Sequence, residues 1–247
     1  MFKKYSIWIG LPAFNEEKAI KKVLESLIKL EKKIKTNIRV IIYNDGSSDK
    51  TVNNAKIYRN KINLKIIDNK INKGLGEAIY SLILYFKKKS KINDKLILMD
   101  CDNTHDTNDI LKMEKKANNK KNLLIIASRY QKGSKVKNVP FLRLLLSYLA
   151  FLVLNILYKT KGIKDFTSGY RFYDKFAINN FFRKIEKKYV PKQGFEMQLE
   201  IILKLRKSNV NFYEIPINLD YKKKPTDSKM KIFKTILSYL KIFFTKN

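Results

Sequence analysis

Two aspartates, Asp100 and Asp102, follow a short apolar run in the stretch "LILMDCDNTHD" and are separated by Cys101. In an extended segment, residues i and i+2 project to the same side, so the two carboxylates can converge on one point while Cys101 turns inward. Two neighbouring carboxylates repel each other unless a cation joins them. A hard divalent ion, Mg²⁺ or Mn²⁺, suits this role because it takes one or two carboxylates and completes its shell with water and substrate phosphates. The spacing therefore predicts a metal-diphosphate site.

A second interpretation of the same stretch is purely structural. Asp102 or Asn103 could cap the helix that is predicted to begin near Asn108, because Asp and Asn are favoured N-cap residues. His105, the single histidine of the chain, is a loop or capping residue in this interpretation and a metal ligand in the first. The residues alone leave both interpretations open.

The elements that must position these side chains can be predicted from hydrophobic patterning. Five short runs rich in Ile, Val and Leu are typical of buried parallel strands, and they cover residues 6–11, 38–43, 64–67, 96–99 and 123–127. Helical patterns lie between them, in "EEKAIKKVLESLIKLEKK" and in residues 48–60, 76–89 and 108–117. The first of these has an apolar face made of Ile20, Val23, Leu24, Leu27 and Ile28. This alternation predicts an α/β fold, a doubly wound and mostly parallel sheet flanked by helices.

Sheets of this kind bind ligands beyond the carboxyl ends of their strands. A polar stretch follows each predicted strand here, in the order "PAFNE", "NDGS", "NKGLG", "DCD" and "SR". Each stretch taken alone could be a helix cap or a turn. Their recurrence after all five strands predicts instead that they line one rim of the sheet.

Composition limits the classes of function. The 247 residues are 45% apolar, enough for the core of one large domain or two small ones. The formal net charge of +31 favours a phosphate-rich partner, but 46 of the 53 basic residues are lysines, which are mostly solvated on protein surfaces. A nucleic-acid-binding protein is the rival class, with 14 Tyr and 15 Phe that could stack on bases. No nucleic-acid-binding motif is present, and acids at the strand ends would repel a phosphate backbone.

The cysteine count and the N-terminus bear on location. A single cysteine excludes an intrachain disulfide and gives no framework for a structural zinc site, which fits a reducing compartment. The opening "MFKKYSIWIGLPAFNEE" is a poor signal peptide because Gly10 and Pro12 break its apolar run. We therefore expect a cytoplasmic protein.

Several motifs together resemble a known family. "PAFNEE", "YNDGSSD", "NKGLGEA" and "MDCDNTHD" resemble the nucleotide-binding half of family 2 glycosyltransferases of the GT-A fold, and the last matches the DxD signature. "ASRY", "DFTSGYRFY", "GFEMQLE" and "EIPINLDYKKK" are similar to the dolichol-phosphate mannosyltransferase-like branch, or polyprenyl-phosphate glycosyltransferases. The resemblance implies a GT-A catalytic domain over residues 1–225, with a nucleotide-sugar and metal half (1–130) and an acceptor half (131–225).

The resemblance also implies roles for individual residues. The donor would be bound by Pro12, Phe14, Glu16, Asp45, Asp100 and Lys229, and the metal by Asp100, Asp102 and Thr104. Thr104 stands where relatives often carry a glutamine, and a lysine, Lys222 or Lys223, stands near a position that is commonly arginine. Asp102 and Arg129 would be catalytic, and the acceptor phosphate would be clamped by Arg129, Arg143 and Ser147. Arg171 either serves the same stretch or is structural, held by Asp165 or by a backbone carbonyl.

The implied reaction is metal-dependent, inverting transfer of a sugar from a nucleotide-sugar donor, GDP-mannose or a UDP-hexose, to a polyprenyl phosphate such as dolichyl or undecaprenyl phosphate. A phosphate monoester has a second pKa near ~6, so the acceptor brings its own charge and needs no obvious general base. The alternative within the family is a soluble or growing-glycan acceptor.

Two apolar segments predict a membrane surface as partner. Residues 144–158 carry no charge but are fewer than the ~20 apolar residues of a membrane crossing, so they are predicted to form a surface-lying helix or a buried core helix. Residues 226–247 predict a C-terminal amphipathic, interfacial helix, with a core-closing helix as the alternative. Its apolar side comprises Ile232, Ile236, Tyr239, Leu240, Phe243 and Phe244. We expect peripheral binding at the cytoplasmic face of an anionic membrane.

Overall fold

The computed structural model describes residues 5–34, 36–186 and 189–225. Its strands are β1 (Ile7–Ala13), β2 (Ile38–Asp45), β3 (Asn63–Asn69), β4 (Lys95–Leu98), β5 (Leu123–Ser128), β6 (Lys135–Lys137), β7 (Arg171–Asp174), β8 (Asn211–Pro216) and β9 (Asn218–Asp220). Its helices are α1 (Ile20–Ile34), α2 (Thr51–Lys56), α3 (Leu75–Lys89), α4 (Asp109–Ala117), α5 (Phe141–Tyr158), α6 (Lys175–Arg183) and α7 (Glu196–Arg206), followed by a 3₁₀ turn at Tyr221–Lys223.

Seven strands form one sheet in the order β3-β2-β1-β4-β7-β5-β8, and β6 pairs with β9 in a small parallel sheet. Strands β1 to β5 and β8 are parallel, and β7 runs antiparallel between β4 and β5. The sheet is covered on both faces because alternate strand residues point to opposite sides. Ile7, Ile9 and Leu11 pack in one core with α1 and α4, whereas Trp8 packs in the other with α3, α6 and α7. The predicted doubly wound, mostly parallel sheet is confirmed.

The predicted strands and helices of the first 128 residues are all present, with ends that differ by a few residues. One detail of that prediction is wrong. The strand at 64–67 was expected to be buried, but β3 lies at the edge of the sheet and each of its residues is either partly buried or exposed. An edge strand has a neighbour on one side, so it buries less of each residue. The predicted C-terminal helix (226–247) and Lys229 lie outside the described residues.

Arg171 is fully buried at the start of β7 and is structural. Its guanidinium donates hydrogen bonds to the backbone carbonyls of Ser168 (2.8 Å), Phe166 (2.8 Å) and Gln198 (2.6 Å). These bonds tie the loop before β7 to the first turns of α7. The alternative partner considered from the sequence, Asp165, binds a different arginine.

Helix α5 covers the predicted apolar segment, and it is not a buried core helix. Leu154 and Tyr158 are buried against the domain, but they are the only buried residues of the helix, which is 11% buried. Its large exposed apolar residues are Phe141, Leu142, Leu144, Leu145, Tyr148, Leu149, Leu152, Val153 and Ile156. By length and composition, α5 is the one helix in the described residues that could cross a membrane, with a mean hydropathy of 2.0 over 18 residues.

Replacement of Arg171 tests its structural role. We expect Arg171→Met to lower the free energy of unfolding by about 2–4 kcal/mol, because three buried carbonyls lose their charged donor. Urea denaturation measures this difference. Arg59→Met, at an exposed arginine, is the matched control and should leave the midpoint unchanged. Equal stabilities of the two variants would contradict the assignment.

Candidate functional site

A cavity of about 430 Å³ lies at the carboxyl ends of the parallel strands. The polar stretches that follow β1, β2, β3, β4 and β5 all contribute to its lining, as expected for a sheet of this type. Every predicted site residue within the described part of the chain lines it, namely Pro12, Phe14, Glu16, Asp45, Asp100, Asp102, Thr104, Arg129, Arg143 and Ser147. The structure therefore brings the predicted donor, metal and acceptor residues into one cavity.

The loop that contains Asp100 and Asp102, called the DxD loop below, comprises residues 99–105 and begins where β4 ends. Asp100 and Asp102 both line the cavity, and Cys101 between them is buried. Asp102 Oδ1 accepts hydrogen bonds from Thr104 N (3.1 Å) and from Thr104 Oγ1 (2.6 Å). The N-cap of α4 is Asn108, so the interpretation in which Asp102 or Asn103 caps this helix is wrong. The Asp102 carboxylate instead stabilises its own loop and faces the cavity.

His105 positions Asp100. Its Nδ1 accepts a hydrogen bond from the Asp100 backbone N–H (3.2 Å), and its Nε2 lies 3.8 Å from Asp100 Oδ2. Its ring stacks on Tyr170 at 4.6 Å between centroids. Desolvation by the cavity walls raises the pKa of Asp100, although 39% of its side chain remains exposed toward the cavity.

Lys224 is the direct partner of Asp102. Its Nζ lies 2.7 Å from Asp102 Oδ2, and the two side chains are only 14% and 13% exposed. Burial disfavours both charges, but their pairing prevails, lowering the pKa of Asp102 and raising that of Lys224. Sequence reasoning missed this pair because three consecutive lysines follow Tyr221 and no local signal distinguishes Lys224 among them.

The loop that carries Lys224 is attached to the DxD loop. Asp220 N donates to the Thr104 carbonyl (3.2 Å), and Asn103 Nδ2 donates to the Lys223 carbonyl (3.3 Å). Lys224 N also donates to the Tyr221 carbonyl (3.1 Å), which closes the turn. These bonds hold residues 220–224 over the acidic pair.

At the predicted donor end, Asp45 has a structural task that the sequence did not predict. Its two carboxylate oxygens accept hydrogen bonds from the backbone N–H groups of Lys73 and Gly74, each at 2.8 Å. Gly76 N in turn donates to the carbonyl of Gln193 at 3.0 Å. A Cβ at Gly76 would lie 1.5 Å from the Lys192 carbonyl oxygen, so this close approach requires glycine. The contact brings the segment before α7, and with it Phe195, to the cavity.

At the predicted acceptor end, Arg129 is held rigidly by buried Asp165. Arg129 Nε and Nη2 donate to the two oxygens of Asp165 at 2.8 and 2.7 Å, and Arg129 N donates to Oδ2 at 3.0 Å. Nη1 donates to Ser147 Oγ at 2.8 Å, which connects the guanidinium to α5. Burial opposes ionisation of Asp165, but the Arg129 guanidinium lowers the pKa of Asp165 below its ordinary value of 3.8.

Helix α5 contributes both polar and apolar groups to the cavity. Arg143 lies over the ring of Tyr221, 5.0 Å from its centroid. The lining of the cavity also includes the apolar side chains of Leu146 and Ala150 of α5, together with those of Leu75, Ala78 and Phe195. The cavity therefore offers both basic and apolar side chains, which suit a phosphate group and an attached apolar chain.

The carboxylate oxygens of the acidic pair, Asp100 and Asp102, are suitable ligands for a divalent ion whose remaining ligands are substrate oxygens. Within the described residues, no group of three or more His, Cys, Asp or Glu side chains could hold a metal ion. Two carboxylates are enough for Mg²⁺ or Mn²⁺ when phosphate and water complete the shell. The Lys224 ammonium at Asp102 Oδ2 marks the place where this site accepts positive charge.

Comparisons with known proteins agree with this arrangement. Residues 8–182 match the model of glycosyl transferase family 2, so the chain belongs to this family. It is 31% identical over 232 residues to a dolichol-phosphate mannosyltransferase of Pyrococcus furiosus, a match that covers 94% of this chain and 60% of that protein. It is 28% identical over 256 residues to a UDP-N-acetylglucosamine–dolichyl-phosphate N-acetylglucosaminyltransferase of Methanococcus voltae, a match that covers 96% of this chain and 93% of that protein.

The fold is that of GT-A glycosyltransferases. Glucosyl-3-phosphoglycerate synthase of Mycobacterium tuberculosis, solved with Mn²⁺, UDP and phosphoglyceric acid, superposes with a TM-score of 0.63 at 16% identity. The superposition covers 94% of this chain and 78% of that one. At this level of identity the likeness establishes the fold.

The Asp165–Arg129 pair predicts a pH dependence of stability. A carboxyl whose pKa is lowered on folding contributes stability above its unfolded pKa and loses it as the pH falls through the folded pKa. We expect Asp165→Asn to cost about 2–4 kcal/mol of unfolding free energy at neutral pH. This cost should shrink below pH 3.8, the ordinary value. Urea denaturation of both proteins across this range measures it, and a constant difference at all pH values would contradict the prediction.

Proposed function

We propose that this protein transfers a sugar from a nucleotide-sugar donor to a polyprenyl phosphate at a membrane surface, with inversion at the anomeric carbon and with a divalent metal ion. One observation carries the proposal. Helix α5 supplies Arg143 and Ser147 to the cavity that contains the acidic pair, while its outer side exposes a row of large apolar residues. The same helix thus offers a phosphate-binding surface inward and a lipid-compatible surface outward.

In this proposal Asp100 and Asp102, with Thr104 as the predicted third ligand, hold Mg²⁺ or Mn²⁺ against the donor diphosphate. The bound ion would supply Lewis-acid stabilisation of the departing nucleoside diphosphate. Two observations on this chain support it. His105 fixes the backbone of Asp100, and Thr104 fixes Oδ1 of Asp102, so the backbone of Asp100 and the carboxylate of Asp102 are positioned before any ligand binds.

The acceptor phosphate would be held by Arg129, Arg143 and Ser147. The bidentate Asp165 contact fixes the plane of the Arg129 guanidinium, so little side-chain entropy is lost when it binds an anion. The acceptor oxygen already carries negative charge at neutral pH. Alignment of that oxygen with the anomeric carbon is therefore the main task of these side chains.

A soluble phosphorylated acceptor is the alternative, since the same two arginines and Ser147 could hold it. The exposed apolar face of α5 and the apolar lining at Leu146, Ala150 and Phe195 favour a lipid acceptor instead. The relatives from Pyrococcus furiosus and Methanococcus voltae, whose names specify dolichol or dolichyl phosphate, support the same choice. The proposal assigns this action to the cytoplasmic face of the membrane.

A transfer assay tests the proposal directly. The protein is incubated with labelled GDP- and UDP-sugars and Mn²⁺, with either a polyprenyl phosphate or a soluble phosphorylated acceptor, and the labelled products in the lipid and aqueous phases are separated and counted. We expect transfer that requires the lipid phosphate and that EDTA abolishes. Transfer to a soluble acceptor without lipid would favour the alternative, and the absence of any transfer would contradict the proposal.

The variant Asp102→Ala should lose at least about 10³-fold of the transfer rate, because the metal and diphosphate lose a fixed charge. Circular dichroism should show an unchanged fold. Asp106→Ala is the matched control, since Asp106 directly follows the DxD loop and its carboxylate binds the amide groups of Asn108 outside the cavity. Metal-dependent transfer retained by Asp102→Ala would exclude the assigned role.

Membrane binding by α5 is tested by liposome sedimentation. We expect the double variant Leu149→Glu, Ile156→Glu to bind anionic vesicles at least about tenfold more weakly, since each buried Leu or Ile contributes about 1.5–3 kcal/mol. The double variant Ile57→Glu, Ile71→Glu alters two exposed isoleucines elsewhere and adds the same charge, so it is the control. Equal binding of the two variants would contradict the role of α5. Equal recovery of the unmodified protein with neutral and anionic vesicles, at low and high salt, would contradict the preference for anionic lipid.

A further inference from the structure

We propose that Lys224 is an exchangeable counter-ion that couples the binding of the divalent metal to the binding of the nucleotide diphosphate. Its ammonium occupies Asp102 in the absence of metal, and it transfers to the diphosphate when metal and nucleotide bind together. This inference rests on the proposed function, because it assumes that the acidic pair receives both ligands.

The contacts of Asp102 show why metal and lysine compete. Oδ1 is occupied by the two Thr104 donors, and Oδ2 by Lys224 Nζ at 2.7 Å. Mg²⁺ binds carboxylate oxygen at about 2.0–2.1 Å, and a second cation at contact distance on the same oxygen would be strongly repelled. A metal ion that binds to the protein alone must therefore displace the ammonium from Oδ2.

The displaced ammonium needs a new partner. Lys224 is only 14% exposed, and a buried charge without a counter-ion is costly. Asp100, the other carboxylate that stabilises the charge of Lys224, would be engaged with the same metal. A diphosphate bound to that metal brings new negative charge into the cavity, so it removes the cost that metal alone imposes. Metal and diphosphate should therefore bind with positive coupling.

The backbone keeps the ammonium near the site during this exchange. Residues 220–224 are held by the bonds from Asp220 to Thr104, from Asn103 to Lys223 and from Lys224 to Tyr221. The lysine cannot be withdrawn without breaking these bonds. Its flexible four-carbon stem allows the ammonium alone to move from carboxylate to phosphate.

Isothermal titration calorimetry tests the coupling on the full chain. Mn²⁺ is titrated into the unmodified protein, Lys224→Met and Lys224→Gln, without nucleotide and with saturating UDP or GDP, and the heats are corrected for Mn²⁺ bound by free nucleotide. Lys224→Gln keeps a polar side chain in case the methionine variant is unstable. Lys21→Met is the control, because Lys21 is an exposed lysine that does not line the cavity.

We expect the Lys224 variants to differ from the unmodified protein in Mn²⁺ affinity only when nucleotide is absent. The Lys224 variants should bind Mn²⁺ alone about tenfold more tightly than the unmodified protein, and the enhancement by nucleotide should fall about tenfold, a range typical of coupling between sites. Lys21→Met should match the unmodified protein both with and without nucleotide. If Lys224 had a purely structural role, its replacement would weaken Mn²⁺ binding both with and without nucleotide, and this result would overturn the inference. An unchanged affinity for Mn²⁺ without nucleotide would overturn it as well.

The inference and the proposed function can fail separately. Unchanged Mn²⁺ affinity and coupling in the Lys224 variants, together with metal-dependent transfer by the unmodified protein, overturn the inference alone. Binding of neither Mn²⁺ nor nucleotide to any of the four proteins, together with no transfer, overturns both. Full transfer in EDTA with no Mn²⁺ binding would show that Lys224 replaces the metal permanently, which also overturns the exchange.

Discussion

Two carboxylates fixed at the end of one buried strand repel each other, and the surrounding chain is arranged to offset that repulsion. The fixing is local, through the His105 contact to Asp100 and the Thr104 contacts to Asp102. The compensating charge is distant in sequence, because Lys224 reaches Asp102 from 122 residues away. The chain can deliver it only because β9 pairs with β6 and the following turn is bonded to the DxD loop. The electrostatic requirement of the pair thus explains why the last described segment crosses the cavity.

At the predicted acceptor end of the cavity the charges are reversed, and a buried carboxylate from a distant segment offsets the charge of an arginine. Arg129 would be an isolated cation beside Ser147 if Asp165 did not hold it by two parallel hydrogen bonds, and Asp165 is itself supplied with backbone donors from Thr167 and Ser168. Arg171 stabilises the same loop by donating hydrogen bonds to the backbone carbonyls of Phe166 and Ser168. Arg129 and Asp102 are therefore both placed by buried polar partners, so the geometry of the cavity depends on contacts between distant segments.

This dependence explains what could be predicted from the sequence. The strands, the helices and the rim of polar residues follow from local periodicity, and all ten predicted site residues that are described line one cavity. The antiparallel strand β7 is only four residues long and has no alternating pattern, so its insertion between β4 and β5 could not be read locally. The partners of Asp102 and Arg129 could not be predicted either. Any of the three lysines after Tyr221 could have paired with Asp102, and Asp165 could have paired with Arg171 as well as with Arg129. Only the fold selects among them.

The fold shows where the lysines that produce the large net positive charge are located. The lining of the cavity combines acidic and basic groups and includes one described lysine, Lys224. The other lysines of the described residues lie outside it, and Lys135 and Lys137 of β6 and Lys161 beyond α5 are exposed on the surface. Under the proposed function these cations lie near a helix whose outer side is apolar, where they could contact anionic head groups while the helix contacts acyl chains. A lipid phosphate held at that interface would meet Arg143 and Ser147 on the inner side of the same helix. The distance from membrane surface to reaction centre would then be set by the thickness of one helix, about 10 Å.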